Sequence, residues 1–132
     1  MEKNKQELLF KISMFEQHTE NIRQQLSAVE ESFIYLESLN LGLDDLKNSK
    51  GKEILASIGK GIFVKAQLLS EELTVDVGGR NFVKKDISET KKIIEEQIKK
   101  LQEIKKELEE KLEGMNKEMI NLLLSVREKK EE

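Results

Sequence analysis

The residues whose chemistry could support catalysis or ligand binding are few and widely spaced. His18 is the only histidine, and no second metal ligand or catalytic partner lies at a suitable spacing from it. The acidic pairs Asp44-Asp45 and Glu95-Glu96 could act in acid–base chemistry, but we interpret them as solvated helix faces because carboxylates are common throughout the chain. Gly59-Lys60-Gly61 is too short for a phosphate-binding loop and precedes a strand pattern rather than a helix. The sequence therefore predicts neither an enzyme nor a metal or cofactor site.

The composition is typical of long, solvent-exposed helices. Of the 132 residues, 37% are hydrophobic and 37% are charged, and proline, cysteine and tryptophan are absent. The lack of cysteine excludes a disulfide framework, and the net charge of −3 argues against a nucleic-acid partner. No apolar run reaches the ~18 residues of a membrane span, and the N-terminus does not resemble a signal peptide, so we predict a cytoplasmic protein without a membrane partner. The high content of lysine and glutamate is also typical of proteins from heat-loving organisms.

The first predicted helix, residues 5–48, carries an apolar stripe with heptad spacing. The stripe alternates steps of four and three residues, as the a and d positions of a coiled coil do. Only two of its members are polar, and we interpret these as residues that fix the register. The stripe consists of Leu8, Ile12, Phe15, Thr19, Ile22, Leu26, Val29, Phe33, Leu36, Asn40 and Leu43.

The second predicted helix, residues 86–130, carries a matching stripe. Asp86 is a candidate N-cap and Glu89 could complete a capping box. Because the two helices have similar lengths, we expect them to fold back on each other as a long antiparallel two-helix coiled coil. The second stripe consists of Ile87, Ile94, Ile98, Leu101, Lys105, Leu108, Leu112, Met115, Met119, Leu122 and Val126.

Residues 53–85, between the helices, have a different pattern. Apolar residues alternate with others over Ile62–Leu68 and Leu73–Val77, which is the two-residue period of strands. Short apolar runs flank these two segments, and glycine-rich or polar turns separate all four. The pattern predicts two consecutive β-hairpins. The expected fold is therefore mainly α, a single domain of residues 1–132 in which two short β-hairpins join the helices.

Two hairpins alone are too small to close a hydrophobic core. We therefore expect their apolar faces and free edges to pair with the same region of other subunits, which makes this segment an assembly platform. The predicted platform residues are Ile58, Ile62, Val64, Ala66, Leu68, Leu73, Val75, Val77 and Phe82.

Apolar residues also crowd both ends of the chain, which an antiparallel hairpin would bring together. Consecutive apolar residues sweep too far around a helix for a two-helix seam to cover them all, and an exposed apolar patch indicates a binding surface. The alternative is that these side chains only cap the end of the coiled coil. The candidate binding residues are Leu8, Leu9, Phe10, Ile12, Ile120, Leu122, Leu123 and Leu124.

The order long helix, two hairpins, long helix resembles the α-class subunit of archaeal-type prefoldin. The similar residues lie in and beside the connector, at Gly51–Leu55, Ile58–Ala66, Val75–Gly79 and Phe82–Lys85. The chain departs from the family at Ala56-Ser57, where proline is frequent, and in the turn at Gly79–Asn81, where small residues are commoner.

The resemblance implies a holding chaperone that works without ATP. In that family the hairpins of six subunits form two inter-subunit β-barrels, and the ends of the coiled coils capture non-native polypeptides and pass them to a group II chaperonin. The resemblance implies β-class subunits as partners, with two α for four β subunits. The sequence also leaves a homo-oligomer open.

Two alternatives belong to other classes of protein. Open pairing of the platforms would give a structural, filament-forming coiled-coil spacer. A coiled-coil adaptor would instead bind one specific folded partner through the helix ends. An adaptor should ignore unfolded chains, whereas a holding chaperone should bind many of them.

Overall fold

The computed structural model describes residues 2–131, which form two long helices separated by four short strands. The predicted mainly α fold with two hairpins is confirmed, and no closed barrel forms within the described part of this chain. That residues 1–132 form a single domain stays a prediction. The elements are α1 Glu2–Leu46, β1 Glu53–Gly59, β2 Ile62–Gln67, β3 Leu73–Asp76, β4 Phe82–Lys85 and α2 Ile87–Glu131.

The heptad stripe is the least exposed side of each helix. Every predicted stripe position is buried or half-buried, and the α1 residues between these positions are exposed. At the start of α2, Thr90 is buried between Ile87 and Ile94, a place that the apolar spacing left empty. The seam therefore continues through this gap with a threonine side chain.

The described chain divides into two compact units, of which the first comprises residues 2–33 and 100–131. Ile22, Val29 and Leu108 are its buried core. Lys105 Nζ lies 2.8 Å from Glu30 Oε1, so the middle of one helix meets the early part of the other. Earlier in α1, Glu16 and Thr19 line a groove with Asn116 and Met119 from further along α2, so the helices run antiparallel here. The side chains packed around the core are Leu26, Phe33, Leu101, Leu112 and Met115.

The second unit, residues 34–99, contains the other helix segments and both hairpins. Leu36 and Leu43 of α1 are buried, as are Ile87 and Ile94 of α2. The Lys91 ammonium, near the start of α2, pairs with the Asp44 carboxylate, near the end of α1.

Short-range hydrogen bonds set the helix ends that face the hairpins. Glu89 N donates to Asp86 Oδ1 at 2.7 Å, so Asp86 caps α2 as predicted. The Glu89 carboxylate does not complete a capping box in the described structure but lies 3.8 Å from Lys85 Nζ. At the end of α1, Asn48 has a φ of 60°, a left-handed conformation that stops the helix.

The hairpins form two separate two-stranded antiparallel sheets, β1–β2 and β3–β4. In the first, Ala56 faces Val64 across the strands, and a bulge precedes the turn at Gly59. All three residues of the Gly59-Lys60-Gly61 turn have positive φ, which explains the two glycines. In the second, Val75 faces Val83.

Candidate functional site

The predicted binding residues near the chain ends separate into two groups by position on their helices. Leu8, Ile12 and Leu122 are half-buried because they are seam residues. The others are between 50% and 67% exposed, since they lie about 60° to 160° around the helix from the neighbouring seam positions. We call the exposed group the terminal surface; it consists of Leu9, Phe10, Ile120, Leu123 and Leu124.

An open groove of about 600 Å³ adjoins the terminal surface. Phe10, Met14 and Phe15 of α1 line it together with Leu122 of α2, so its floor is apolar. Sequence reasoning placed Phe15 only in the seam and did not place Met14 in a site. The sequence signal that could have placed them in the groove was their spacing, because residues four or five after Phe10 lie on the next turn of the same helix. His18, which we interpreted as a surface residue, also lines this groove with Lys11, Glu118 and Asn121.

The predicted platform residues are also of two kinds. Ala66, Leu68, Leu73 and Val75 are half-buried within their unit. The remaining members are exposed, which leaves apolar surface on both hairpins without cover from this chain. These exposed members are Ile58, Ile62, Val64, Val77 and Phe82.

The first hairpin has a second apolar face that sequence reasoning missed. In its register Leu55 lies opposite Lys65, and Phe63 lies opposite Ser57. Residues paired across strands project to the same side, and that side alternates along a strand. Leu55 and Phe63 therefore share one side, and Ala56 and Val64 share the other. Leu55 and Phe63 are both exposed, and we call them the Leu55–Phe63 face.

Two ion pairs lie beside the seam, one in each unit. A hydrogen bond from Lys91 holds the pKa of Asp44 below its usual value, with smaller contributions from the charges of Lys91 and Lys47. A hydrogen bond to Glu30 and the charge of this carboxylate raise the pKa of Lys105. Such pairs favour one register of the two helices.

An open polar cleft lies where the helix ends meet the hairpins. It has a volume of about 940 Å³ and is lined by lysines and carboxylates. Lys84 Nζ lies 3.4 Å from Glu72 Oε1, and Lys85 pairs with Glu89. Because these charges neutralise one another, the cleft has no focused field that would select a charged ligand.

The described residues contain no group of three His, Cys, Asp or Glu side chains placed to hold a metal ion. Within the same residues, neither helix is apolar enough over a sufficient length to cross a membrane.

Two long helices with a heptad seam, joined by two separate β-hairpins, define a class of coiled-coil proteins with β-hairpin connectors. A family model described as "Prefoldin subunit" matches residues 15–129. The chain belongs to the prefoldin family.

Two curated relatives carry the name "Prefoldin subunit alpha", which agrees with the resemblance to the α class. One, from Methanosphaera stadtmanae, is 29% identical over 68% of this chain and 65% of its own length. The other, from Methanobrevibacter smithii, is 32% identical over 72% of this chain and 66% of its own length. The chain thus spans slightly less than two thirds of the length of these relatives.

A cryo-EM structure of filamentous PFD from Methanocaldococcus jannaschii has a similar fold. Its TM-score with this chain is 0.76 at 22% sequence identity, and the match covers 86% of this chain and 95% of the other. At this level of identity the likeness concerns the fold.

Proposed function

We propose that the chain is an α-class prefoldin subunit that holds unfolded polypeptides without ATP. The observation that supports this most directly is the terminal surface, where five apolar side chains lie close to the chain ends and stay at least half exposed. Exposed apolar patches of this kind are binding surfaces, and non-native chains are the partners that offer apolar segments without a fixed shape. The activity would take place in the cytoplasm.

Capture would be weak at each contact and strong in sum. A terminal surface of a few side chains buries little area, so one subunit alone should release a client readily. Several subunits tethered to one assembly raise the effective concentration of binding sites and hence the avidity. The exposed platform residues would hold the assembly together. We propose β-class subunits as partners, two α for four β, with a homo-oligomer as the alternative, and a group II chaperonin as the recipient of the client.

The test is suppression of aggregation when a chemically unfolded protein is diluted into buffer without nucleotide. The chain would be added alone and mixed with a β-class subunit, as wild type and as the double variant Phe10→Ser/Leu123→Ser. We expect the wild type to suppress light scattering and the variant to lose most of this effect, because it removes two exposed side chains of the terminal surface.

The matched control is Leu39→Ser/Ile104→Ser, which removes two exposed apolar side chains outside the terminal surface. It should suppress aggregation like the wild type. Equal losses in both double variants would contradict a binding site at the terminal surface, and no suppression by any sample would contradict the chaperone function.

A filament-forming spacer is the second candidate, favoured by the uncovered hairpin faces and by the similarity to a filamentous PFD. Particle mass by light scattering separates the two, since a closed assembly has one mass and a filament has a broad range. We expect a single mass for the chaperone, which would contradict the spacer.

A further inference from the structure

The last third of α1 contains a segment that is far less charged than the rest of the chain. Residues 32–43 include one charged side chain, Glu37, although 37% of the whole chain is charged. Seven of the twelve are large apolar or aromatic residues, so the helix is apolar on more than one side. A helix that is apolar all round is normally covered all round.

The seam covers one side of this segment only. Leu36 and Leu43 are buried at seam positions, whereas Ile34, Tyr35 and Leu41 are 66%, 69% and 68% exposed. Ile34 and Leu41 are seven residues apart and each lies two residues before a seam position, about 160° around the helix from it. They therefore form a stripe that faces away from α2. We call Ile34, Tyr35 and Leu41 the outer patch.

Acidic side chains border the outer patch. Asp45 follows Leu41 by four residues, so it lies one turn further along the same side of the helix. Glu37 lies between Ile34 and Leu41, about 40° to 60° to one side of the stripe. Both carboxylates are exposed. A surface that covers the outer patch should be apolar at its centre and basic at its edge.

The Leu55–Phe63 face of the first hairpin has these properties. Leu55 and Phe63 provide apolar area, Lys65 lies directly opposite Leu55, and Lys60 is in the adjoining turn. Within one chain the face and the outer patch both stay exposed, so neither covers the other. The complementary surfaces can meet only between chains.

We propose that the outer patch of one chain packs on the Leu55–Phe63 face of a second copy, with Lys60 and Lys65 near Glu37 and Asp45. The contact joins two different surfaces, so it can repeat from chain to chain. The contact uses the side of the first hairpin that faces away from the Val64 side chain. It leaves the terminal surface free. It is therefore independent of client capture and goes beyond the proposed function.

The absence of cysteine from the chain permits a direct test by cross-linking. Two variants of the full chain, Leu41→Cys and Leu55→Cys, would be mixed in equal amounts, one of them carrying a mass tag, and treated with a short bis-maleimide. We expect a cross-linked dimer of one tagged and one untagged chain in the mixture, and little dimer with either variant alone. Circular dichroism would verify that both variants keep their helices.

Ile104→Cys mixed with Leu55→Cys is the matched control for random collision, because Ile104 is an exposed apolar residue of α2 outside the outer patch. A yield no higher than this control would overturn the proposal. Efficient dimer formation by Leu41→Cys alone would also overturn it, since the outer patch would then meet itself.

A charge exchange separates the proposed contact from mere proximity in an assembly. Lys65→Glu in the Leu55→Cys chain should lower the cross-linking yield about fivefold, equivalent to ~1 kcal/mol. Asp45→Lys in the Leu41→Cys chain should restore most of the yield by returning opposite charges to the edge. An unchanged yield with Lys65→Glu would contradict the assigned orientation.

Discussion

Asp44 and Lys105 each form an ion pair between the two helices. Asp44 lies beside the apolar seam, and Lys105 lies within it. Lys105 occupies a seam position, and its ammonium reaches Glu30 while lying 5.9 Å from the centre of the Phe33 ring. Asp44 receives Lys91 from the other helix. A polar residue at a seam position contributes less to stability than leucine would, but its partner is available in one register only. Both pairs therefore favour the observed alignment of the helices.

The Asp44 pair makes stability depend on pH in a definite direction. The pKa of Asp44 is lower in the folded chain than the ordinary value of an aspartate, so the charged carboxylate stabilises the fold above that ordinary value. This contribution is lost as the pH falls through the folded pKa. Asp44→Asn should lower the midpoint of thermal unfolding at pH 7, and the difference from wild type should vanish in strong acid, where Asp44 is neutral too.

Glu95→Gln removes a carboxylate of α2 that has no ion pair within the described structure, and it serves as the control for the Asp44 variant. We expect its midpoint to match that of the wild type at both pH values. A constant difference between Asp44→Asn and wild type at every pH would show that the effect comes from the amide and not from the lost charge.

Seam residues could be predicted from the sequence because each one belongs to a long series of apolar residues with heptad spacing. A polar member such as Asn40 does not obscure a pattern that nine apolar positions of the same helix support. Leu55 and Phe63 were missed because a strand of six or seven residues gives only three or four positions to each side. Phe63 lies between the predicted platform residues Ile62 and Val64, on the same side of the strand as Lys65. The sequence pattern therefore assigned it to the polar side.

At the scale of elements, a repeating pattern determines where a helix exists, and single hydrogen bonds determine where it ends. The heptads predicted both helices, and their observed ends lie within three residues of the predicted ones. The left-handed Asn48 ends α1, and the Asp86 carboxylate begins α2. These local contacts leave only short signals in a sequence, so the helix ends are less well predicted than the helices.

Asp86 connects the second hairpin to α2, and its loss should weaken this junction. Asp86→Ala removes the acceptor for Glu89 N and should lower the free energy of unfolding by about 1 kcal/mol, a typical cost for an N-cap. Urea unfolding at a fixed protein concentration, followed by circular dichroism, measures it. Ser88→Ala, in the exposed first turn of the same helix, is the control and should be nearly neutral. Equal effects of the two variants would argue against the cap.

At the scale of the whole molecule, the hairpins are the part that this chain alone does not complete. Each sheet has two strands, and neither pairs with the other in the described structure. Isolated two-stranded sheets are marginally stable in water, and their free edges invite pairing with further strands. The sequence predicted this incompleteness correctly. It could not predict which side of each hairpin meets which subunit, because surfaces of other chains decide that.

Val75 provides a test of the platform. It is half-buried opposite Val83, so Val75→Asp would place a carboxylate on the apolar side of the second hairpin, where an unpaired charge is costly. We expect light scattering to show a fall from the assembled mass towards that of the monomer. Asn81→Asp puts the same charge in the exposed turn between β3 and β4, outside the predicted platform residues, and should leave the mass unchanged. An unaltered mass for Val75→Asp would contradict the assignment of Val75 to the platform.

The seven-residue period of the seam has a consequence for how such a chain can change length during evolution. Loss or gain of one residue turns the rest of a helix by about 100° and moves its apolar stripe out of the seam. Loss or gain of seven residues turns it by only about 20°, and a matching change in the other helix keeps every remaining partner in place. Insertions and deletions should therefore be tolerated in paired multiples of seven, so that the helices can be lengthened or shortened while the hairpins stay the same.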